Sequence, residues 1–141
     1  RYRLCASPAY LARYGVPQSI QDLDAHECLI GTGTTWHFRV DRQDQIYQPR
    51  GRWRCNSGDA VASAALEGFG ICQLPEFYVR GALERGELVS LLDGFRAEEE
   101  PIWAVYPQRR HLLPKVRLLV DRLKADLPGA LARAGEGKPL P

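Results

Sequence analysis

Apolar positions in this chain come in short runs, separated by polar or glycine-rich breaks. YRLCA (2–6) reads as a strand. Ser7-Pro8 follows; Ser7 suits an N-cap and Pro8 a first helical turn, so AYLARYG forms a short helix that stops at Gly15. Ser19 caps a second short helix over SIQDLDAHE, with Leu23 facing inward. CLIG (28–31) is a strand, and GTGTT (31–35) is a loop of glycines and hydroxyls. Residues 36–40 and 46–48 read as strands around the polar turn DRQDQ. Residues 50–55 alternate in the manner of an edge or half-exposed strand. A helix then begins near Ser57, with Asn56 as its cap, Asp59 against the dipole and small apolar residues on one face. Gly68 ends it. GICQLP (70–75) is a buried strand, residues 76–85 an amphipathic helix ending at Gly86, and residues 88–91 a strand. PIWAVY (101–106) is a further strand. Val116, Leu118, Leu119, Leu123 and Leu127 recur at helical spacing over 115–127, with Pro114 in the first turn. Residues 128–141 lack apolar periodicity and read as a tail. Alternation of strands and helices predicts an α/β sheet with parallel pairing.

Composition narrows the class. The chain has 141 residues, 45% hydrophobic and 26% charged, as in a soluble globular domain. A net charge of +2 gives no strong pull toward nucleic acid or membrane. No apolar run approaches the roughly 20 residues that span a bilayer, and the start lacks a signal peptide's apolar region. There is no Met, and Arg1 leads straight into a strand-like run, which reads as a piece of something longer. The four cysteines at 5, 28, 55 and 72 form no C-x-x-C pair. They read as buried, reduced thiols of a cytosolic protein, without a metal or cofactor.

Two segments sit where α/β sheets gather ligands, after strands and at helix N-termini. One is the loop Gly31-Thr32-Gly33-Thr34-Thr35 and the other is Asn56-Ser57-Gly58. Both offer hydroxyls, backbone N–H groups and little bulk, and a helix start favours an anion. The plainer alternative is that Asn56 and Ser57 only cap the helix. Catalysis finds no support: the three histidines are scattered, and neither a nucleophile elbow nor a P-loop is present. The Glu98-Glu99-Glu100 run reads as a solvated loop, and Arg109-Arg110-His111 as the surface lead-in to a helix.

An ordered set of motifs adds a family. "SPAYL…G", "DL..H.CL", "N.GDA…AAL.G.GI..LP", "G.L..LL" and "W.VYP..RHL.PKVR" occur in sequence across residues 1–127. Together they resemble the effector-binding domain of LysR-type transcriptional regulators. The resemblance implies two α/β lobes arranged like a periplasmic binding protein, the second complete here and the first partial. Residues 1–6 and 102–106 would supply the two crossover strands, residues 7–95 the second lobe, and the segment 96–127 the return strand and a C-terminal helix of the first lobe. It implies a small, often acidic effector in the interlobe cleft, lined on this side by Gly31, Thr32, Thr34, Asn56, Ser57 and Gly58. It also implies self-association, and DNA binding only through an N-terminal helix-turn-helix that this sequence lacks. The leading expectation is therefore the ligand-sensing segment of a bacterial transcription factor. A transporter's solute-binding protein shares the architecture but would need secretion, which four unpaired cysteines argue against.

Overall fold

The computed structural model describes residues 1–97, 103, 105 and 113–133. Strand β1 (Tyr2–Ala6) leads to helix α1 (Pro8–Tyr14) and a 3-10 turn (Gln21–Ala25). Then come β2 (Cys28–Leu29), β3 (Trp36–Val40), β4 (Gln43–Tyr47), α2 (Gly58–Leu66), β5 (Ile71–Pro75), α3 (Glu76–Glu84), β6 (Val89–Leu91), a 3-10 turn (Asp93–Phe95) and α4 (Pro114–Arg133).

Local chemistry explains most boundaries. Ser7 Oγ accepts from Tyr10 N at 3.3 Å, Pro8 opens α1, and Gly15 closes it at a φ of 88°. The short helix expected here is a 3-10 turn, and its N-cap position is held by Ile20 rather than by Ser19. Ser19 Oγ accepts from Asp22 N at 3.3 Å, while the Asp22 carboxylate accepts from Gln18 N and Ser19 N at 2.8 and 2.9 Å. Those two N–H groups hold the Asp22 carboxyl below its usual range.

The four-stranded sheet has the order β2-β5-β1-β6. Pairing is mixed, so the expected parallel pairing holds for only part of the sheet. β2 and β5 run parallel, and β1 is antiparallel to both β5 and β6. The strands joined through helices, β2, β5 and β6, therefore share one direction, as helical crossovers require. β1 precedes every helix and enters between β5 and β6 from the opposite end.

β3 and β4 form a separate hairpin in the register Val40↔Gln43, so its loop is Asp41-Arg42 alone. Both loop residues have positive φ, 50° and 66°, the signature of a tight two-residue turn matched to strand twist. Hence β4 starts at Gln43 rather than Ile46. The strand expected over 50–55 is reduced to a parallel bridge between Ile30 and Arg54. The segment still lies along β2: Cys28 N donates to Arg50 O at 3.1 Å and Ile30 N to Trp53 O at 3.2 Å. A Cβ on Gly51 would sit 1.9 Å from the Cys28 carbonyl oxygen, so the two backbones touch here and the ladder is interrupted.

Alternate strand residues feed two cores, one on each face of the sheet. Leu4, Ala6 and Ile71 pack with Tyr10, Leu23, Trp36 and Phe38. Cys5, Cys72 and Leu74 pack with Val61, Ala65, Val79 and Leu88 beneath α2 and α3. Cys5 and Cys72 face each other across β1 and β5 with their sulfurs 3.6 Å apart. All four cysteines are free thiols, and burial pushes Cys28 up to about 11.

Helix α4 runs through Pro128 to Arg133, past the expected end at Leu127. Six residues of the expected tail are thus helical, since Ala130, Leu131 and Ala132 favour the helix and Pro128 removes only one N–H. Arg80 on α3 donates to Ala132 O at 2.7 Å. Leu118, Leu119 and Leu123 on α4 are exposed. The strand expected over 101–106 lies outside the described residues except for Trp103 and Val105, both exposed. The acidic run 98–100, the basic run 109–111 and residues 134–141 also lie outside them.

Candidate functional site

A cleft of about 340 Å³ opens between the β3–β4 hairpin, the start of α2 and the start of α3. Its floor is the end of β5, where Gln73, Leu74 and Pro75 line it. Gly31 and Thr32 come from the loop after β2, and Asn56 and Gly58 from the start of α2. These four expected site residues are brought together. Thr32 Oγ1 donates to the Asn56 carbonyl at 3.3 Å and so joins the two segments. Thr34 and Ser57 are exposed and do not line the cleft.

Ser57, not Asn56, is the N-cap of α2. Its backbone is extended (φ −107°, ψ 120°), and its Oγ accepts from Ala60 N at 3.4 Å. The side chain therefore turns onto the helix's own first turn. A helix leaves its first N–H groups without intrahelical acceptors. With Ala60 N bonded to Ser57 Oγ and Val61 N to Ser57 O, the N–H groups of Gly58 and Asp59 are the remaining first-turn donors.

Most of the other lining was not anticipated. Gly33 and Thr35 belong to the expected loop, but Trp36 and His37 come from the hairpin, Gln73 from β5, and Phe77 and Tyr78 from α3. One signal was available for Gln73, the single polar residue inside the apolar run ICQLP. Its side chain clamps the hairpin to the sheet: Oε1 accepts from His37 N at 3.0 Å and Nε2 donates to His37 O at 2.9 Å. That pair of bonds reproduces with a side-chain amide what strand pairing would do with backbone. The aromatic lining carries no sequence pattern, because three separate elements contribute it.

Among the described residues no Lys, Arg, Asp or Glu side chain lines the cleft. Glu76 stands just outside, paired with Arg3 at 2.5 Å. Burial alone would raise the Glu76 carboxyl, but the Arg3 guanidinium outweighs it and holds it low. His26 lies elsewhere, with Nδ1 3.1 Å from Tyr10 OH, which also accepts from Glu27 N at 3.0 Å. Burial lowers the His26 pKa and raises that of Tyr10, as in a structural pair. Among the described residues no group of His, Cys, Asp or Glu could hold a metal ion, and no helix is long and apolar enough to cross a membrane.

Comparison with known proteins places this geometry. Residues 1–128 match the model of the LysR substrate binding domain. The chain is 36% identical over 139 residues to the HTH-type transcriptional activator TtdR of Escherichia coli (strain K12), covering 95% of this chain and 44% of that protein. It is 36% identical over 128 residues to the HTH-type transcriptional regulator PtxR of Pseudomonas aeruginosa, covering 86% of this chain and 40% of that protein. The chain thus spans less than half the length of these curated relatives. Among solved structures, the regulatory domain of CrgA, a LysR-type transcriptional regulator from Neisseria meningitidis, superposes with a TM-score of 0.73 at 32% identity, over 90% of this chain and 64% of that one. The full-length virulence activator AphB of Vibrio cholerae gives 0.71 at 31% identity, over 85% of this chain and 42% of that one. The mixed α/β architecture is therefore that of LysR regulatory domains, which have a two-lobe fold like that of periplasmic binding proteins. The chain belongs to the LysR substrate binding domain family.

Proposed function

We propose that this chain is the effector-sensing segment of a LysR-type transcriptional regulator and holds a small, anionic metabolite in the cleft at the start of α2. The observation that carries this reading is the cleft itself. Thr32, Asn56 and the Gly58 backbone converge on one side of it, at a helix N-terminus that favours negative charge. Ser57 and Thr34 take supporting positions beside the lining residues rather than among them.

In this reading residues 7–95 form one lobe, β1 crosses between lobes and α4 belongs to the other. The antiparallel entry of β1 and the exposed apolar side chains of α4 support that division. Operator recognition falls to another segment of the whole protein, which self-associates and works in the cytoplasm without catalysing a reaction. The relatives named above are transcriptional regulators, which argues against the transporter alternative.

The test is a thermal-shift screen of small mono- and dicarboxylates on the intact protein. At least one should raise the melting temperature of the wild type and leave Thr32→Trp, whose indole fills the cleft, unmoved. If no carboxylate stabilises the wild type, or if Thr32→Trp responds equally, the reading falls.

A further inference from the structure

One wall of the cleft is aromatic. Phe77 and Tyr78 open α3 with ring centroids 4.4 Å apart, tilted by 40°. Trp36 from β3 and Tyr2 from β1 add to the apolar lining. Tyr78 packs against the start of α2: a Cβ on Gly58 would lie 2.4 Å from its ring, so glycine lets the helix start and the ring approach this closely. Besides the Tyr2 and Tyr78 hydroxyls, the polar side chains are the Asn56 and Gln73 amides, the Thr32 and Thr35 hydroxyls and His37. Gln73 is already engaged on both its oxygen and its nitrogen.

Two physical consequences follow. A flat ring gains from offset or edge-on contact with aromatic neighbours beyond the gain from area alone. A second charge on the ligand would meet no charged side chain among the described lining residues, and unpaired charge that leaves water is strongly disfavoured. The volume, about 340 Å³, lies at the lower end for small-molecule sites.

We infer that the cleft selects a small effector with a flat ring and at most one negative charge, and that Tyr78 sets this preference. The inference rests on the reading of the cleft as the effector site. Isothermal titration of the intact protein with benzoate, cyclohexanecarboxylate and succinate tests it. Benzoate should bind about threefold to tenfold more tightly than cyclohexanecarboxylate, with succinate weakest. Tyr78→Leu should bring the first two acids within about twofold, while Tyr78→Phe keeps the preference. The inference is overturned if succinate binds best, or if the preference for benzoate survives Tyr78→Leu. Succinate binding that Thr32→Trp abolishes would retain the cleft as the effector site and reject only the ligand class. Absence of binding by all three acids would overturn the inference alone, and binding that persists in Thr32→Trp would reject the site and the inference together.

Discussion

Asn56 and Ser57 are neighbours of equal capping aptitude, and the backbone decides between them. Ser57 has the extended conformation of a cap and bonds Ala60 N; Asn56 lies one residue early, where its carbonyl meets Thr32. Residue type alone could not have separated the two, because both are strong N-caps. The cap geometry sets the mutational phenotype of Ser57. Ser57→Ala removes the cap and should cost about 1 kcal/mol in urea denaturation. Effector affinity should hardly change, since the hydroxyl faces its own helix. A large loss of affinity at unchanged stability would return Ser57 to the cleft. Gly58 carries the opposite lesson. The sequence marks it only as small, whereas the structure shows what the smallness is for, the ring of Tyr78.

Elements built on local chemistry were legible in the sequence, and those built on distant contacts were not. The Ser7-Pro8 start of α1, the apolar run of β5 and the amphipathic α3 follow from capping and periodicity. The direction of β1 does not, because nothing inside YRLCA says from which end of the sheet it enters. The hairpin turn was misplaced because Asp41-Arg42 lacks the Asn-Gly or Asp-Gly pair that announces positive φ at both positions. Helix α4 presents the reverse case. Its periodicity was plain, yet no residue on it is buried, and Leu118 is 73% and Leu119 59% exposed. An apolar helix face exposed in this way promotes association. In the 141-residue chain by itself, the double variant Leu119→Glu with Leu123→Glu should reduce self-association in sedimentation velocity. Its unfolding free energy should stay within about 0.5 kcal/mol of the wild type. A drop of several kcal/mol with no change in assembly would mean that this face already has a partner.

At the scale of the molecule, the sheet, its two cores and α2 make a firm frame, and the hairpin is an attachment to it. Trp36 and Phe38 of the hairpin are buried, and Phe38 bridges Arg96, but among the described residues no strand of the main sheet pairs with β3 or β4. Across the cleft floor, the side chain of Gln73 holds the hairpin through the two backbone groups of His37. Gln73→Ala should therefore raise amide exchange at His37 by about threefold to tenfold, as expected for the loss of one or two ordinary hydrogen bonds. Exchange within β1 and β5 should be unaltered; a uniform increase across the sheet would make Gln73 part of the frame instead. The same clamp joins the wall of the cleft to its floor. His37 lines the wall and Gln73 the floor, so one side chain, rather than strand pairing, sets how far apart the two stand.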